Sequence, residues 1–373
     1  MVSLLSVIEH DENHLTVHGL RQKTPKIGDI STTAVVHQIV MLLGVLDIGS
    51  TAAQLLVVDT DHDTPPLPTH TIKRQTLLGD AFTRDGSIDA DGVQRLVDAV
   101  TETVNSARDI GVRRLCVVVT AAVRDATNRE KILAKLERET GVRPTYLAGE
   151  DEAKLGYLAA RHWYGGSPGR MLLLDIGGGS MEIAVGDAVE PEFVVSLPLG
   201  ARLLTSEFLR TDPPKACQLR DLREHVEQVL ADVPKTVPYQ GKHRICEVDT
   251  SVATSRIFTQ LAQLTGAPSA SQGPFVRRTL ARTDLRAWIP RLAKRSSSER
   301  AQLRGISRKR AKQILAGAIV ADAAMTKLGI DSVQVCPWAL REGLILRHLD
   351  KHVQVEIPLA SERAADLVRF RPA

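Results

Sequence analysis

Residues 172–180 read Leu-Leu-Leu-Asp-Ile-Gly-Gly-Gly-Ser, and residues 43–50 read Leu-Gly-Val-Leu-Asp-Ile-Gly-Ser. Each stretch is a short apolar run, typical of a buried strand, that ends in an aspartate and a glycine-serine turn. A second apolar run follows each of them at hairpin spacing, at residues 182–185 and 54–58. The chain therefore contains an internal repeat, and its two halves are predicted to place two similar hairpins face to face across a cleft.

The segments between these hairpins predict both helices and strands. Asn128 can cap a helix that runs to Glu139, and Gly141 can end that helix. Together with the apolar strand runs, this pattern predicts an α/β fold. The predicted helices cover residues 91–108, 128–139 and 150–163, and a further strand covers residues 115–119.

The length of the chain predicts two domains. At 373 residues, of which 43% are apolar, it exceeds what one hydrophobic core usually supports. Residues 1–40 are polar and aperiodic, whereas the first strand pattern begins directly after Met41, a candidate first residue of the fold. We expect an N-terminal extension at 1–40 that is a candidate for disorder, a first domain at 41–165 and a second at 166–337.

Several classes of protein are not favoured by the sequence. The cysteines at 116, 217, 246 and 336 have no paired spacing, which argues against a zinc cluster or a disulfide framework. The N-terminus lacks the pattern of a secretion signal, and the longest apolar run, residues 39–46, is too short to span a membrane. A cytoplasmic protein without a membrane partner is therefore expected.

The basic residues are unevenly distributed along the chain. The formal net charge is +4, but residues 277–312 contain 13 Lys and Arg against Asp284 and Glu299 only. Such a segment is usually an exposed helix face, although it can also form a track for an anionic chain. Aromatic residues make up only 3% of the chain and no nucleic-acid reader motif is present, which argues against a nucleic-acid partner.

The two glycine-serine turns are suited to binding phosphate. Phosphate oxygens need backbone N–H donors at close range, and glycine permits this approach because it has no Cβ. Asp47 and Asp175 precede the turns, where a carboxylate can hold Mg²⁺ or another divalent cation beside the phosphates. A single turn of this kind is usually an ordinary hairpin, so the duplication carries the argument. The phosphate-binding candidates in the turns are Gly49, Ser50, Thr51, Gly177, Gly178, Gly179 and Ser180.

This arrangement resembles the actin, sugar-kinase and Hsp70 superfold and, within it, the exopolyphosphatase/guanosine pentaphosphate phosphohydrolase family in its short, two-domain branch. The resemblance covers about residues 41–346 and implies an actin-like α/β fold with an interdomain cleft. It also implies a C-terminal helix, about residues 338–373, that returns to the first domain. The blocks that carry the resemblance are residues 120–128, 149–153, 175–182, 313–318 and 336–343.

The resemblance assigns roles to three further residues. Glu152 matches the family's general base, which activates water for attack on the terminal phosphorus. Without that match Glu152 would be taken for a solvated helix residue. Arg124 matches an arginine that contacts phosphate, and Glu182 matches a residue that orients the metal or the water. The implied reaction releases orthophosphate from inorganic polyphosphate, with the 5′ γ-phosphate of guanosine pentaphosphate as the alternative, and a homodimer is left open.

The chain departs from the family pattern at three places. Thr51 replaces an asparagine in the first turn and loses its two-donor amide. The family's arginine corresponds to Leu203 in this chain. Arg202 lies one place earlier, so on a strand it would face the opposite side. Ala253 replaces a glycine and is expected to restrict phosphate approach. Two rival functions therefore stay open, a kinase of the same superfold and a phosphate-ligand sensor that has lost turnover.

Overall fold

Two mixed β-sheets organise the chain in a computed structural model, which describes residues 41–60, 67–83, 85–165, 168–233 and 247–349 and the strand Val368–Arg369. The predictions for residues 1–40 fall outside the described residues. The first sheet contains β1 (Leu42–Ile48), β2 (Ala52–Asp59), β3 (His70–Gln75), β4 (Arg114–Val119), β5 (Thr145–Tyr146) and β12 (Val368–Arg369). The second sheet contains β6 (Met171–Ile176), β7 (Met181–Gly186), β8 (Phe193–Leu197), β9 (Thr250–Thr254), β10 (Thr279–Ala281) and β11 (Ser332–Val335).

Four strands follow the same order in both sheets. In the first it is β3-β2-β1-β4 with β5 and β12 beside β4, and in the second it is β8-β7-β6-β9-β11-β10. Three antiparallel strands come first in each half, and the opening strand also pairs in parallel with a later one, β1 with β4 and β6 with β9. The predicted repeat and the actin-like α/β fold class are confirmed by this duplicated topology.

Helices pack against both sheets. Burial of β1 and β6 explains their nearly continuous apolar sequences. The helices are α1 (Ala90–Ile110), α2 (Ala121–Arg124), α3 (Arg129–Thr140), α4 (Gly149–Trp163), α5 (Ala201–Phe208), α6 (Ala216–Ala231), α7 (Ser255–Leu264), α8 (Arg282–Ala293), α9 (Ser297–Arg300), α10 (Ile314–Lys327) and α11 (Leu340–Leu349).

The ends of α3 test the predicted capping residues. Gly141 ends the helix in the left-handed region, with φ of 72°, as predicted. Asn128 occupies the N-cap position, as predicted, although its side chain makes no capping hydrogen bond. Its amide group instead exchanges two hydrogen bonds with the backbone of Ile88, at 3.0 and 2.8 Å. Asn128 thereby joins α3 to the segment that precedes α1.

The C-terminal part of the chain returns to the first sheet, as the family resemblance implies. Leu344 and Ile345 of α11 pack in one apolar cluster with Leu43 and Val45 of β1. Val368–Arg369 form β12 beside β4 and are not part of a helix extending to residue 373. Pairing with β4 satisfies backbone groups at the sheet edge. Residues 40–373 form one compact unit, and the boundaries at 165 and 337 stay a prediction.

Two smaller predictions concern the cysteines and the membrane. Cys116 and Cys336 are buried, Cys217 is exposed and all three are free thiols, whereas Cys246 lies outside the described residues. None of the helices in the described part of the chain is both long and apolar enough to cross a membrane.

Candidate active site

A cavity of about 470 Å³ collects residues from both halves of the repeat. The β1–β2 and β6–β7 turns, the start of α4, the start of α7 and the start of α11 all contribute to its wall. The sequence-predicted residues that line it are Asp47, Gly49, Ser50, Thr51, Glu152, Asp175, Gly177, Gly178 and Glu182. The structure does not place Arg124, Gly179 or Ser180 in that wall.

The two glycine turns have the same internal hydrogen bond and touch each other. The amide of Gly49 donates to the carbonyl of Ala52 at 3.0 Å, and the amide of Gly177 donates to the carbonyl of Ser180 at 2.9 Å. A Cβ at Gly178 would lie 2.9 Å from Oγ of Ser50, so a side chain there would displace the Ser50 hydroxyl group. The turns therefore face each other across the cavity, as the repeat predicted.

Residues that the sequence did not single out hold the first turn in place. Thr76 is fully buried. Its Oγ1 donates to the carbonyl of Gly49 at 2.8 Å, and its amide donates to the carbonyl of Thr51 at 3.1 Å. Leu78 adds a bond from its amide to the carbonyl of Ser50 at 2.7 Å. Because these bonds occupy the turn's carbonyls, its N–H groups remain the natural contacts for an anion.

The start of α5 holds the second turn in a comparable way. The amides of Ala201 and Arg202 donate to the carbonyls of Gly177 and Gly178, each at 3.0 Å. The expectation that Arg202 lies on a strand is wrong, because it belongs to the first turn of a helix. Its guanidinium stacks over the ring of Phe82, 4.8 Å from the centroid, and does not line the cavity.

Side chains in register extend the repeat across three strands of each sheet. Residues directly opposite each other on antiparallel strands project from the same face. Oγ of Ser196 donates to Oε1 of Glu182 at 2.9 Å. The two rows are Asp47, Gln54 and Lys73 in the first sheet and Asp175, Glu182 and Ser196 in the second. Gln54 and Lys73 also line the cavity, although the sequence analysis did not identify them.

The cavity buries four carboxyl groups whose pKa values are all raised. Burial raises the pKa of Glu152 well above its ordinary value, and the charge of Glu182 adds to this effect. Burial raises the pKa of Glu182 to about 8 and that of Asp175 to about 6. The pKa of Asp47 is also raised by burial, although the nearby Arg341 opposes the change. A bound cation would stabilise the ionised forms of these groups.

Five basic side chains line the same cavity, and the sequence analysis did not place three of them there. Arg278 and Arg310 belong to the predicted basic segment, whereas Lys73, Arg256 and Arg341 come from β3, α7 and α11. Burial lowers the pKa of Lys73, and the charges of Arg256, Arg310 and Arg341 lower it further. Clustered like charges of this kind are stabilised by a bound anion.

The remaining departure from the family pattern does not affect the cavity. Ala253 is fully buried in β9 and packs in the apolar core of the second half, so the expectation that its methyl group restricts phosphate approach is wrong. Ser255, Arg256 and Thr259 form this part of the wall instead. Ser255 has a φ of 82°, unusual for a residue other than glycine, at the start of α7.

Comparison with known proteins gives this cavity a family context. The model of the Ppx/GppA phosphatase family matches residues 56–352 of the chain. Exopolyphosphatase 1 of Mycobacterium tuberculosis is 46% identical over 310 residues, which cover 83% of this chain and 89% of the relative. The chain belongs to the Ppx/GppA phosphatase family.

Other members of the Ppx/GppA family are more distant. The guanosine-5′-triphosphate,3′-diphosphate pyrophosphatase of Vibrio campbellii is 27% identical over 85% of this chain and 61% of its own length. The crystal structure of the Aquifex aeolicus member has a TM-score of 0.69 and 27% identity, over 83% of this chain and 98% of that one. An exopolyphosphatase from Cytophaga hutchinsonii, at a TM-score of 0.73 and 20% identity over 83% of this chain and 98% of that one, shares the fold.

The acidic residues of this Ppx/GppA phosphatase suit a hard divalent cation. Oδ1 of Asp47 is buried without a hydrogen-bond partner among the described residues. In the same part of the chain no three His, Cys, Asp or Glu side chains are grouped closely enough to bind one ion. Mg²⁺ commonly uses only one or two carboxylates and takes its other ligands from water and substrate phosphates. Asp47 and Asp175, one from each half, fit that donor set.

Proposed function

We propose that this protein is an exopolyphosphatase, which releases terminal orthophosphate from inorganic polyphosphate. The observation that carries the proposal is one cavity in which two facing glycine turns, the carboxylate of Glu152 and five basic side chains meet. The relatives named exopolyphosphatase 1, at 46% identity, support the same substrate. The five basic side chains favour a substrate with several consecutive phosphates over a simple monoester, because they provide more positive charge than one phosphate group needs.

The residues of the cavity divide the chemistry between binding and proton transfer. The N–H groups of the two turns bind oxygens of the terminal phosphate, in line with their glycine content. Glu152 takes the proton of the attacking water as the water oxygen bonds to the terminal phosphorus. The bond from that phosphorus to the bridging oxygen breaks, so the shortened polyphosphate is the leaving group and orthophosphate is released. Glu182, held by Ser196, orients the water or the metal. Mg²⁺, bound through Asp47 and Asp175, would neutralise charge on the substrate oxygens.

Guanosine pentaphosphate is the second candidate substrate. Its 5′ end offers the same terminal phosphoanhydride, and the relative from Vibrio campbellii carries the corresponding name at 27% identity. Orthophosphate release should be measured with polyphosphate, guanosine pentaphosphate and ATP at equal phosphate-end concentrations and saturating Mg²⁺. A kcat/KM highest for polyphosphate supports the proposal. Preference for guanosine pentaphosphate would make the second candidate the function, and turnover of none would favour a sensor.

The metal assignment predicts a specific defect at Asp47. Asp47→Asn should raise the Mg²⁺ concentration for half-maximal activity by about 10-fold, since it removes a charged ligand. Titration of activity with Mg²⁺, and calorimetry of Mg²⁺ binding in the presence of phosphate, measure this change. Asp98→Asn, on the exposed face of α1, is the matched control and should behave like the parent. Equal Mg²⁺ requirements for all three proteins would remove Asp47 from the metal site.

Thr51 provides a test of the altered first turn. Thr51 lines the cavity, and its backbone carbonyl is already bonded to the amide of Thr76. Thr51→Asn should raise kcat/KM by about 5-fold, because one added hydrogen bond to phosphate is worth about 1 kcal/mol. Thr51→Val, of similar shape but without a donor, is the control. Unchanged rates for both variants would mean that this side chain does not touch the substrate.

A further inference from the structure

Arg124 is surrounded by acceptors from the protein itself. It is the last residue of α2, and its side chain is 14% exposed. Nη1 donates to Oε1 of Glu152 at 2.7 Å and to the carbonyl of Leu147 at 3.0 Å. Nε and Nη2 donate to the two carboxylate oxygens of Asp125, at 2.8 and 3.2 Å. A guanidinium group has five N–H donors, so these bonds use all but one.

We propose that Arg124 is a positioning residue that fixes the carboxylate of Glu152 for proton transfer, and that it is not a phosphate ligand. The proposal rests on the role of Glu152 in the proposed function. It replaces the phosphate contact that the family resemblance implied for Arg124, because the side chain faces Glu152 and does not line the cavity.

The geometry of the four bonds supports this role. Both carboxylate oxygens of Asp125 accept hydrogen bonds from one edge of the planar guanidinium of Arg124, which sets the plane of that group. Nη1 is then directed toward Leu147, just before α4, and toward Glu152 in the first turns of that helix. The base and the start of its helix are therefore held by the same nitrogen. A rotation of the Glu152 side chain would break its bond to Arg124.

The arrangement also leaves the base able to react. Arg124 donates a hydrogen bond to Oε1 of Glu152, whereas Oε2 makes no hydrogen bond within the described part of the chain. Oε2 is thus the oxygen suited to a water molecule in the cavity. The positive charge of Arg124 lowers the pKa of Glu152 against the larger effect of burial, which favours the ionised form that a base needs.

Steady-state kinetics distinguish positioning from substrate binding. With tripolyphosphate, Arg124→Gln should lower kcat by at least about 10-fold, because a misplaced base loses its alignment with the water, while KM changes less than about 2-fold. Arg256→Gln, which alters a side chain in the cavity wall, should instead raise KM. Arg124→Lys should recover part of the lost kcat. A KM raised by about 10-fold in Arg124→Gln, with kcat unchanged, would identify a phosphate ligand and overturn the proposal.

Asp125 gives the proposal a second test. Its side chain is 59% exposed, and among the described residues its carboxylate bonds to Arg124 alone. Asp125→Asn should therefore lower kcat in the parent and have no further effect in the Arg124→Gln background. Additive losses would contradict this coupling.

Ligand binding tests the assignment without turnover. Calorimetry with tripolyphosphate should give a Kd for Arg124→Gln within about 2-fold of that of the parent, whereas a loss of about 10-fold would overturn the proposal. Failure of the parent to release phosphate from any substrate would contradict the proposed function, and the calorimetry would still decide whether Arg124 binds phosphate.

Discussion

Glu152→Gln is expected to lower kcat for phosphate release by at least about 100-fold, the lower range for loss of a general base. Glutamine keeps the shape of the side chain and can still accept a hydrogen bond from Arg124, which bonds to Oε1 at 2.7 Å. It cannot take a proton from water. The fold and the binding of substrate should therefore survive, and the loss should appear in kcat with little change in KM.

A neighbouring glutamate provides the matched control for this variant. Glu150 lies two residues earlier in α4 and is exposed, so Glu150→Gln changes the charge of the same helix without reaching the cavity. Its kcat should stay within about 2-fold of that of the parent. Circular dichroism and calorimetry with tripolyphosphate verify folding and binding of both variants. Parent-like turnover by Glu152→Gln would mean that another group accepts the proton.

The features that the sequence predicted well are those encoded locally. Asp47 and Asp175 stand at the ends of apolar strands, each before a glycine turn, and the apolar runs and the turn residues are visible in a few consecutive positions. The placement of two hairpins face to face then follows from the repeat. The family blocks added Glu152, whose local sequence alone would have indicated a solvated helix residue.

Other parts of the site depend on which strands and helices become neighbours. Lys73 enters the cavity because β3 pairs with β2 and brings it opposite Gln54, a register that the sequence did not specify. Arg256 and Arg341 arrive from helices about 85 positions apart in the chain. Arg202 lies in a helix and not in a strand, because the start of α5 bonds to the second turn. Tertiary contacts decide such cases over local propensity.

Replacement of basic side chains in the cavity wall should cause the second large effect, a loss of substrate affinity. Arg256 and Arg310 line the cavity, and burial together with their mutual repulsion lowers the pKa of Arg310. Two such groups side by side are unfavourable without a ligand, and a polyphosphate chain supplies the compensating charge. Each charge-assisted hydrogen bond to phosphate is worth about 1.5–3 kcal/mol. The double variant Arg256→Gln/Arg310→Gln should therefore raise KM for polyphosphate by about 100-fold or more.

Position, and not total charge, should decide the size of this effect. Arg308 and Lys309 adjoin Arg310 but are exposed and outside the cavity wall, so Arg308→Gln/Lys309→Gln removes the same charge from the same segment. That control should raise KM less than about 5-fold at physiological salt, since exposed charges are screened. KM for tripolyphosphate and for long-chain polyphosphate, measured at two salt concentrations, separates the two sites. If the control raises KM as much as the double variant does for long-chain polyphosphate alone, the binding track extends along residues 308–310. If both variants raise KM equally for tripolyphosphate, substrate binding is not confined to the cavity.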